Sequence, residues 1–377
     1  MKELFPGYYK RNIKEIEELW KTAIFVFDTN LLTSLYKHSK ETRDAILDQI
    51  EILKDRIILP YHAAYEFNKN RYKVIFDQQA LFDTFIKNIN IVENEIKSVT
   101  KHPFLSKELS EEAFTLFDKL KEQVNIEKTF FIEIFKNDII YDKISDLFFG
   151  KISEKFSDEI IEKIHEEGEK RYAAKIPPGY KDEKKVENKF GDLIIWKHII
   201  EIGKKAPEKG IIFISDDRKE DWIWSVNGKD IGARPELAEE ISKEANSNFS
   251  LLDVLSFIKL GGKFSDTQPS VKAINEIEAF KNQELLEEKR YNTYEEYYKK
   301  SNIDNWNGYI PPSTITDFNP LDPNNFLGRT TTGYDPNEFK VSSTGYNPLD
   351  PNNFLGRTTG YEINDQIIKK NKSTDEK

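Results

Sequence analysis

The chain of 377 residues contains no cysteine. That absence removes disulfides, thiolate zinc sites and cysteine nucleophiles together, and it fits a reducing compartment. Any metal must therefore bind through oxygen or histidine. Histidine is itself scarce, and His62, His165 and His198 share no metal-binding spacing, so no role is assigned to them. A glycine-rich phosphate loop is also missing. The opening MKELFPGYYKRNIKEIEELW holds no stretch resembling a signal peptide, and no later segment is long and apolar enough to span a bilayer. A cytoplasmic protein is expected. Nor is there an excess of positive charge: 56 Lys and Arg against 66 Asp and Glu leave a net charge of -10. This argues against a protein that coats nucleic acid by bulk electrostatics. It does not argue against a nuclease, because carboxylates that hold divalent cations are locally acidic and the cations meet the phosphate.

What is present points to the α/β class. Short β-branched and aromatic runs at Ile24 to Phe27, Arg56 to Leu59, Ile211 to Ile214 and Phe249 to Leu252 read as strands. Long stretches with helical spacing separate them, which predicts a central, mostly parallel sheet between helical layers. Residues 41–54 place Ile46, Leu47, Ile50 and Leu53 on one stripe, the pattern of a crossover helix. Pro60 suits the first turn of the next helix. From about residue 75 to 170 the chain is charged, helical and strandless, too long for an ordinary crossover, so a helical insertion is expected. A basic, proline-interrupted loop at 175–190 follows, and then the helix GDLIIWKHIIEIGKKA feeds the strand IIFIS.

The size exceeds that of one usual domain. Residues 1–260 are expected to form the folded domain, 261–300 a linker and a charged helix, and 301–377 a tail. In that tail NPLDPNNFLGRTT occurs at 319–331 and again, unchanged, at 347–359. Its asparagine, proline and glycine content is poor material for a packed core. Identical repetition suits a linear motif presented twice, with Phe326 and Phe354 as apolar anchors for a protein partner or for self-association.

Carboxylates stand where the predicted strands and helices would bring them together. Asp28 ends the first strand, Glu66 lies one to two turns into the helix after the second, Asp192 opens the helix after the basic loop, and Asp216 and Asp217 follow IIFIS. In open α/β sheets, ligands bind beyond the carboxyl ends of the strands. Clustered carboxylates repel one another unless a cation sits among them, and oxygen-rich clusters suit Mg²⁺ or Mn²⁺. Singly, each acid has a plainer role: Asp28 and Asp192 as helix N-caps, Glu66 as a solvated helix residue, Asp217 as a turn former. Jointly, capping explains them less well. Asn30 and Ser215 are candidates to orient these carboxylates, or are local caps. Lys175, Lys181, Arg218 and Lys219 flank the acids and are candidates to grip phosphates, with Trp222 or Trp224 stacking a base; solvated lysines and core tryptophans are the alternative.

FVFDTN, LPYHAAYEFNKNR, KIPPGYKD, GDLIIWKHII and IFISDDRKEDWIW with ARPELAEE, in this order over roughly residues 5–260, closely resemble the PIN-like domains of the PIN-8 family. The resemblance implies a three-layer α/β/α fold and a metal-dependent nuclease, more often acting on RNA than on DNA, whose acids hold one or two divalent ions. Carried over by matching motif, these acids are Asp28, Glu66, Asp192 and Asp217, with Asp216 as a neighbouring candidate ligand and Asp221 as the further acid often present. The chemistry implied leaves a 5′-phosphate and a 3′-hydroxyl. RNA turnover, toxin action and defence against phage are all compatible with it. Two rival readings are weighed: a nuclease-derived scaffold that works through its tail, and a haloacid-dehalogenase-like phosphatase with Asp28 as nucleophile. The second wants an aspartate two positions on, where this chain has Asn30.

Overall fold

Ile24–Phe27 forms strand β1, and all its side chains are buried, as a parallel strand covered on both faces requires. The computed structural model describes residues 1, 4–98, 105–265 and 268–301; the repeats and their phenylalanines lie outside them. Helix α1 (Ile13–Thr22) precedes β1 and begins with a capping box between Asn12 and Glu15. After β1 come α2 (Thr29–Ser34), α3 (Lys40–Ile52) and β2 (Ile57–Ile58). The stripe predicted for the crossover helix, Ile46, Leu47, Ile50 and Leu53, is buried throughout. Strand β2 is shorter than expected: Lys54–Arg56 is a tight helical turn, and Leu59 forms an isolated parallel bridge to Ile152 rather than extending β2 along β1.

The insertion is helical, as predicted. Helices α4 (Tyr61–Ile96) and α5 (Lys107–Lys136) run antiparallel, joined by ring contacts of Tyr72 with Phe135 and Phe82 with Phe131 and by the ion pair of Lys121 with Glu93. Asp138, at the N-terminus of α6 (Ile139–Leu147), ties the insertion to the body. It accepts hydrogen bonds from Arg71 and from the Tyr36 hydroxyl, each at 2.8 Å. Helix α7 (Asp158–Ala173) completes the insertion.

Next come α8 (Gly191–Lys205), β3 (Ile211–Ile214), β4 (Ile223–Val226), β5 (Lys229–Ala233), α9 (Pro235–Ala245), β6 (Phe249–Leu252), α10 (Val254–Phe264) and α11 (Val271–Ser301). β4 and β5 form an antiparallel hairpin that turns on Asn227 and Gly228, both with positive φ. The Asn-Gly dipeptide between short β-prone runs was its sequence signal and was passed over. GGKF, read from sequence as linker, instead closes α10, and α11 packs back on the body with Ala273 and Ile277 buried.

The parallel sheet has the order β2-β1-β3-β6. Phe25 packs against Trp20 and Phe257 on one face, while Phe213 packs against Trp222 on the other, with Trp196 beyond it. Two helical layers thus enclose the sheet, and burying one such aromatic side chain contributes roughly 1.5–3 kcal/mol. From β1 the chain goes first to β2 on one side and later to β3 and β6 on the other. The strand order therefore reverses between β1 and β3, the place where an open sheet leaves a crevice beyond its carboxyl ends.

Candidate active site

The ladders continue one step past the strands: the Asp28 amide donates to Ile214 O at 3.0 Å between β1 and β3, and the Ser215 amide to Leu252 O at 3.0 Å between β3 and β6. This sets Asp28 and Ser215 side by side. The Ser215 hydroxyl donates to Asp28 Oδ2 at 2.6 Å, Asn30 Nδ2 donates to the same oxygen at 2.8 Å, and the Thr29 amide donates to Oδ1 at 2.7 Å. Asn30 and Ser215 thus both meet Asp28 Oδ2, and Asp28 also caps α2. Although the residue is only half-buried, protein crowds its carboxyl group. Burial, together with the nearby Asp192, Asp217 and Glu66, pushes it up to about 8.

Glu66 arrives from α4. Its Oε2 accepts from the Thr29 hydroxyl at 2.7 Å, and its Oε1 lies against Asn188 and 3.3 Å from His62 Nε2. Burial works against its charge, but the bonds from His62, Thr29 and Asn188 prevail and lower its pKa. His62, given no role from sequence, is thus a direct neighbour of a site acid, one helical turn away at i, i+4.

Asp192 is in the first turn of α8, yet the capping position belongs to Phe190, so capping does not account for it. Its Oδ2 lies 3.2 Å from Lys219 Nζ and 3.3 Å from Trp222 Nε1. Lys219 also reaches Asp217 Oδ2 at 2.9 Å and Asp182 Oδ2 at 3.1 Å. Burial opposes the charge of Lys219, and the surrounding Asp192, Asp217 and Asp182 outweigh it and raise its pKa. Asp217 forms a short turn as well, accepting from the Lys219 amide at 2.9 Å. Asp182 was missed from sequence although it closes the motif KIPPGYKD. The loop brings it in through Gly179, whose φ of 90° and closeness to Tyr172 and Asp192 leave no room for a side chain.

Several sequence assignments are corrected. Asp216 Oδ1 accepts from the Val254 amide at 3.0 Å, so this carboxylate is engaged by the first amide of α10, whose N-cap is Asp253. Trp222 is 2% exposed and packed on Phe213, so it cannot stack a base; it serves as a donor to Asp192. Trp224 packs edge-on against Tyr8. Lys219 is engaged with carboxylates rather than free for phosphate. Arg218 pairs with Asp230 and Lys181 with Glu220, while Lys175 is exposed and contacts none of the acids. Asp221 is fully buried: Oδ2 accepts from the Lys181 amide at 2.9 Å, and Oδ1 makes no hydrogen bond among the described residues.

The donor set suits a hard divalent cation in kind, being carboxylate oxygen with one buried, unpartnered oxygen at Asp221. Its arrangement is another matter. Among the described residues, no three Asp, Glu or His side chains stand together so as to hold a metal ion. The Lys219 ammonium lies among Asp182, Asp192 and Asp217 instead. No helix among the described residues is long and apolar enough to cross a membrane.

A family model described as a PIN like domain matches residues 24–237, more than half of the chain. No curated protein and no solved structure matches it.

Proposed function

This chain belongs to the PIN-like domain family, and from that premise we propose that it is a cytoplasmic nuclease hydrolysing phosphodiester bonds, of RNA before DNA, with Mg²⁺ or Mn²⁺ as cofactor. The observation that carries this reading is the convergence of Asp28, Glu66, Asp192 and Asp217, from separate elements, on the crevice where the strand order reverses. In this reading Asp28, Asp192 and Asp217 would hold the ion once it displaces the Lys219 ammonium from Asp192 and Asp217, with Glu66 beside them and Asp221 within electrostatic reach of Asp217. A bound divalent ion would supply a water of lowered pKa and positive charge facing the phosphate.

The chain's own residues do the positioning. Asn30 and Ser215 hold Asp28 Oδ2 in one orientation, and a ligand fixed before substrate arrives needs no reorganisation during the reaction. Trp222 steadies Asp192 from the core side. Lys219 opposes the burial that pushes the Asp192 carboxyl up to about 6, and so favours the ionised form that a ligand needs.

The test is cleavage of end-labelled single-stranded RNA and DNA with Mn²⁺, Mg²⁺ or EDTA, for the wild type and Asp28→Asn. RNA cutting that needs metal and Asp28 supports the proposal; no cutting of either polymer with any metal sinks it. One observation favours the second reading, a silent scaffold: Lys219 already neutralises part of the cluster. Titration calorimetry with Mn²⁺ separates the two, since a scaffold has no need to bind the ion. In either case we propose that the repeat tail, outside the described residues, captures a protein partner or a second copy of the chain.

A further inference from the structure

Beside Glu66 opens a cavity of about 720 Å³, well within the range of ligand sites. We propose that it receives an unpaired base of single-stranded nucleic acid next to the bond being cut. This inference rests on the nuclease reading and names the substrate form that the site would take.

The groove is continuous with the acids. His62 and Asn188 line it and both touch Glu66, with His62 Nε2 3.1 Å from Asn188 Oδ1. Its walls are rings. Phe156 lies face to face on His198, centroids 3.9 Å apart; His165 leans on Phe190 at 5.0 Å; and Tyr65 beside His62 is 53% exposed. Of these rings Tyr65 and His165 are exposed, and an exposed ring face is what single-strand binding uses, because every base offers a π-face whatever its identity.

The charge open to a phosphate is that of Lys155. Lys155, Lys185 and Lys189 line the groove against Asp158. Lys185 and Lys189 already neutralise Asp182 and Glu169, whereas Lys155 is exposed and makes no ion pair among the described residues. The fold builds this wall deliberately out of the insertion. Leu59 and the segment around Ile152 exchange backbone hydrogen bonds at 3.0 and 2.9 Å, and the Ser153 hydroxyl accepts from the Tyr61 amide at 2.9 Å. Lys155 and Phe156 follow directly and are thereby held in the same cavity wall as His62, which touches Glu66.

The experiment uses the full chain and a combined Tyr65→Leu and Lys155→Glu variant, with His165→Ala as a second variant at an exposed position. Binding of a fluorescent single-stranded RNA of about 12 nucleotides is followed by anisotropy in EDTA, beside a blunt duplex of the same sequence. Cleavage is followed separately with Mn²⁺. The combined variant should raise Kd for the single strand about 10-fold and flatten its salt dependence by about one contact. KM should rise with kcat within about twofold, duplex binding should hardly change, and the thermal midpoint should stay put. His165→Ala should act in the same direction, less strongly. Unchanged Kd and KM in both variants overturn the proposal, as does an equal loss on the duplex, which would mean charge alone. If the wild type binds but never cuts, the nuclease reading fails while the groove stands or falls on the binding data. If it neither binds nor cuts, both fall.

Discussion

Lys219 Nζ lies 2.9 Å from Asp217 Oδ2, so the strongest cation at the acid cluster is one the chain carries itself. The same ammonium is within 3.2 Å of Asp192 and 3.1 Å of Asp182. Removing it leaves Asp192 and Asp217 without their counter-charge, while Asp182 keeps Lys185. Lys219→Met should lower metal-free stability by roughly 1–3 kcal/mol, less than for a fully buried pair because part of the side chain meets solvent. Mn²⁺ should restore more of the melting temperature in the variant than it adds to the wild type. A melting scan in EDTA that finds no loss would rule out the role of internal counter-charge.

Asp28 gives a pH dependence of definite sign. Its carboxyl group is pushed from 3.8 to about 8 by burial and by its acidic neighbours. Between those values the native state holds a proton that the unfolded chain has lost, so stability falls as pH rises. Metal-free wild type should melt lower at pH 8 than at pH 5.5. Asp28→Asn should flatten that slope and melt several degrees higher than wild type at pH 8, each kcal/mol moving the midpoint roughly 2–4 °C. It should also abolish cutting. Asp192→Asn and Asp217→Asn should behave differently, losing metal-free stability because they strip partners from Lys219. Parallel slopes for wild type and Asp28→Asn would contradict the assignment.

Trp222 supplies Asp192 with a donor at 3.3 Å from inside the core. Trp222→Phe keeps an aromatic ring against Phe213, deletes that donor and leaves part of the indole volume unfilled. Stability should drop by roughly 2–3 kcal/mol, about 1 from the bond and the rest from the unfilled volume, while the cutting rate falls about 10-fold. A rate equal to wild type would mean that Asp192 needs no such support.

For the tail, deletion of residues 301–377 should leave metal-dependent cutting of a short oligonucleotide intact and abolish partner capture or self-association, and Phe326→Ala with Phe354→Ala should do the same. Analytical ultracentrifugation and a cleavage assay read the two outcomes. If cutting disappears on deletion, the tail belongs to the active fold.

Much of this was legible in the chain itself. IFVF and IIFI are apolar on both faces and short, which leaves a central parallel strand as their natural form, and Asp28 and Asp217 must then emerge beyond strand ends. The helical insertion was equally plain from its periodicity, and the Asn-Gly turn was there to be read. Such features depend on residues close in sequence, where backbone geometry does the deciding. Which charge meets which was not legible. Nothing in SDDRKEDW says that the aspartate at 216 meets the first amide of α10 while its neighbour at 217 meets Lys219, or that Trp222 is core. Asp182 and His62 looked ordinary until the loop at 175–190 and helix α4 were folded against β1. The worth of a charge depends on the distance to its partners and on how much water is excluded between them. Both are properties of the packed molecule, set by contacts between elements far apart in the chain, and only the tertiary structure decides them.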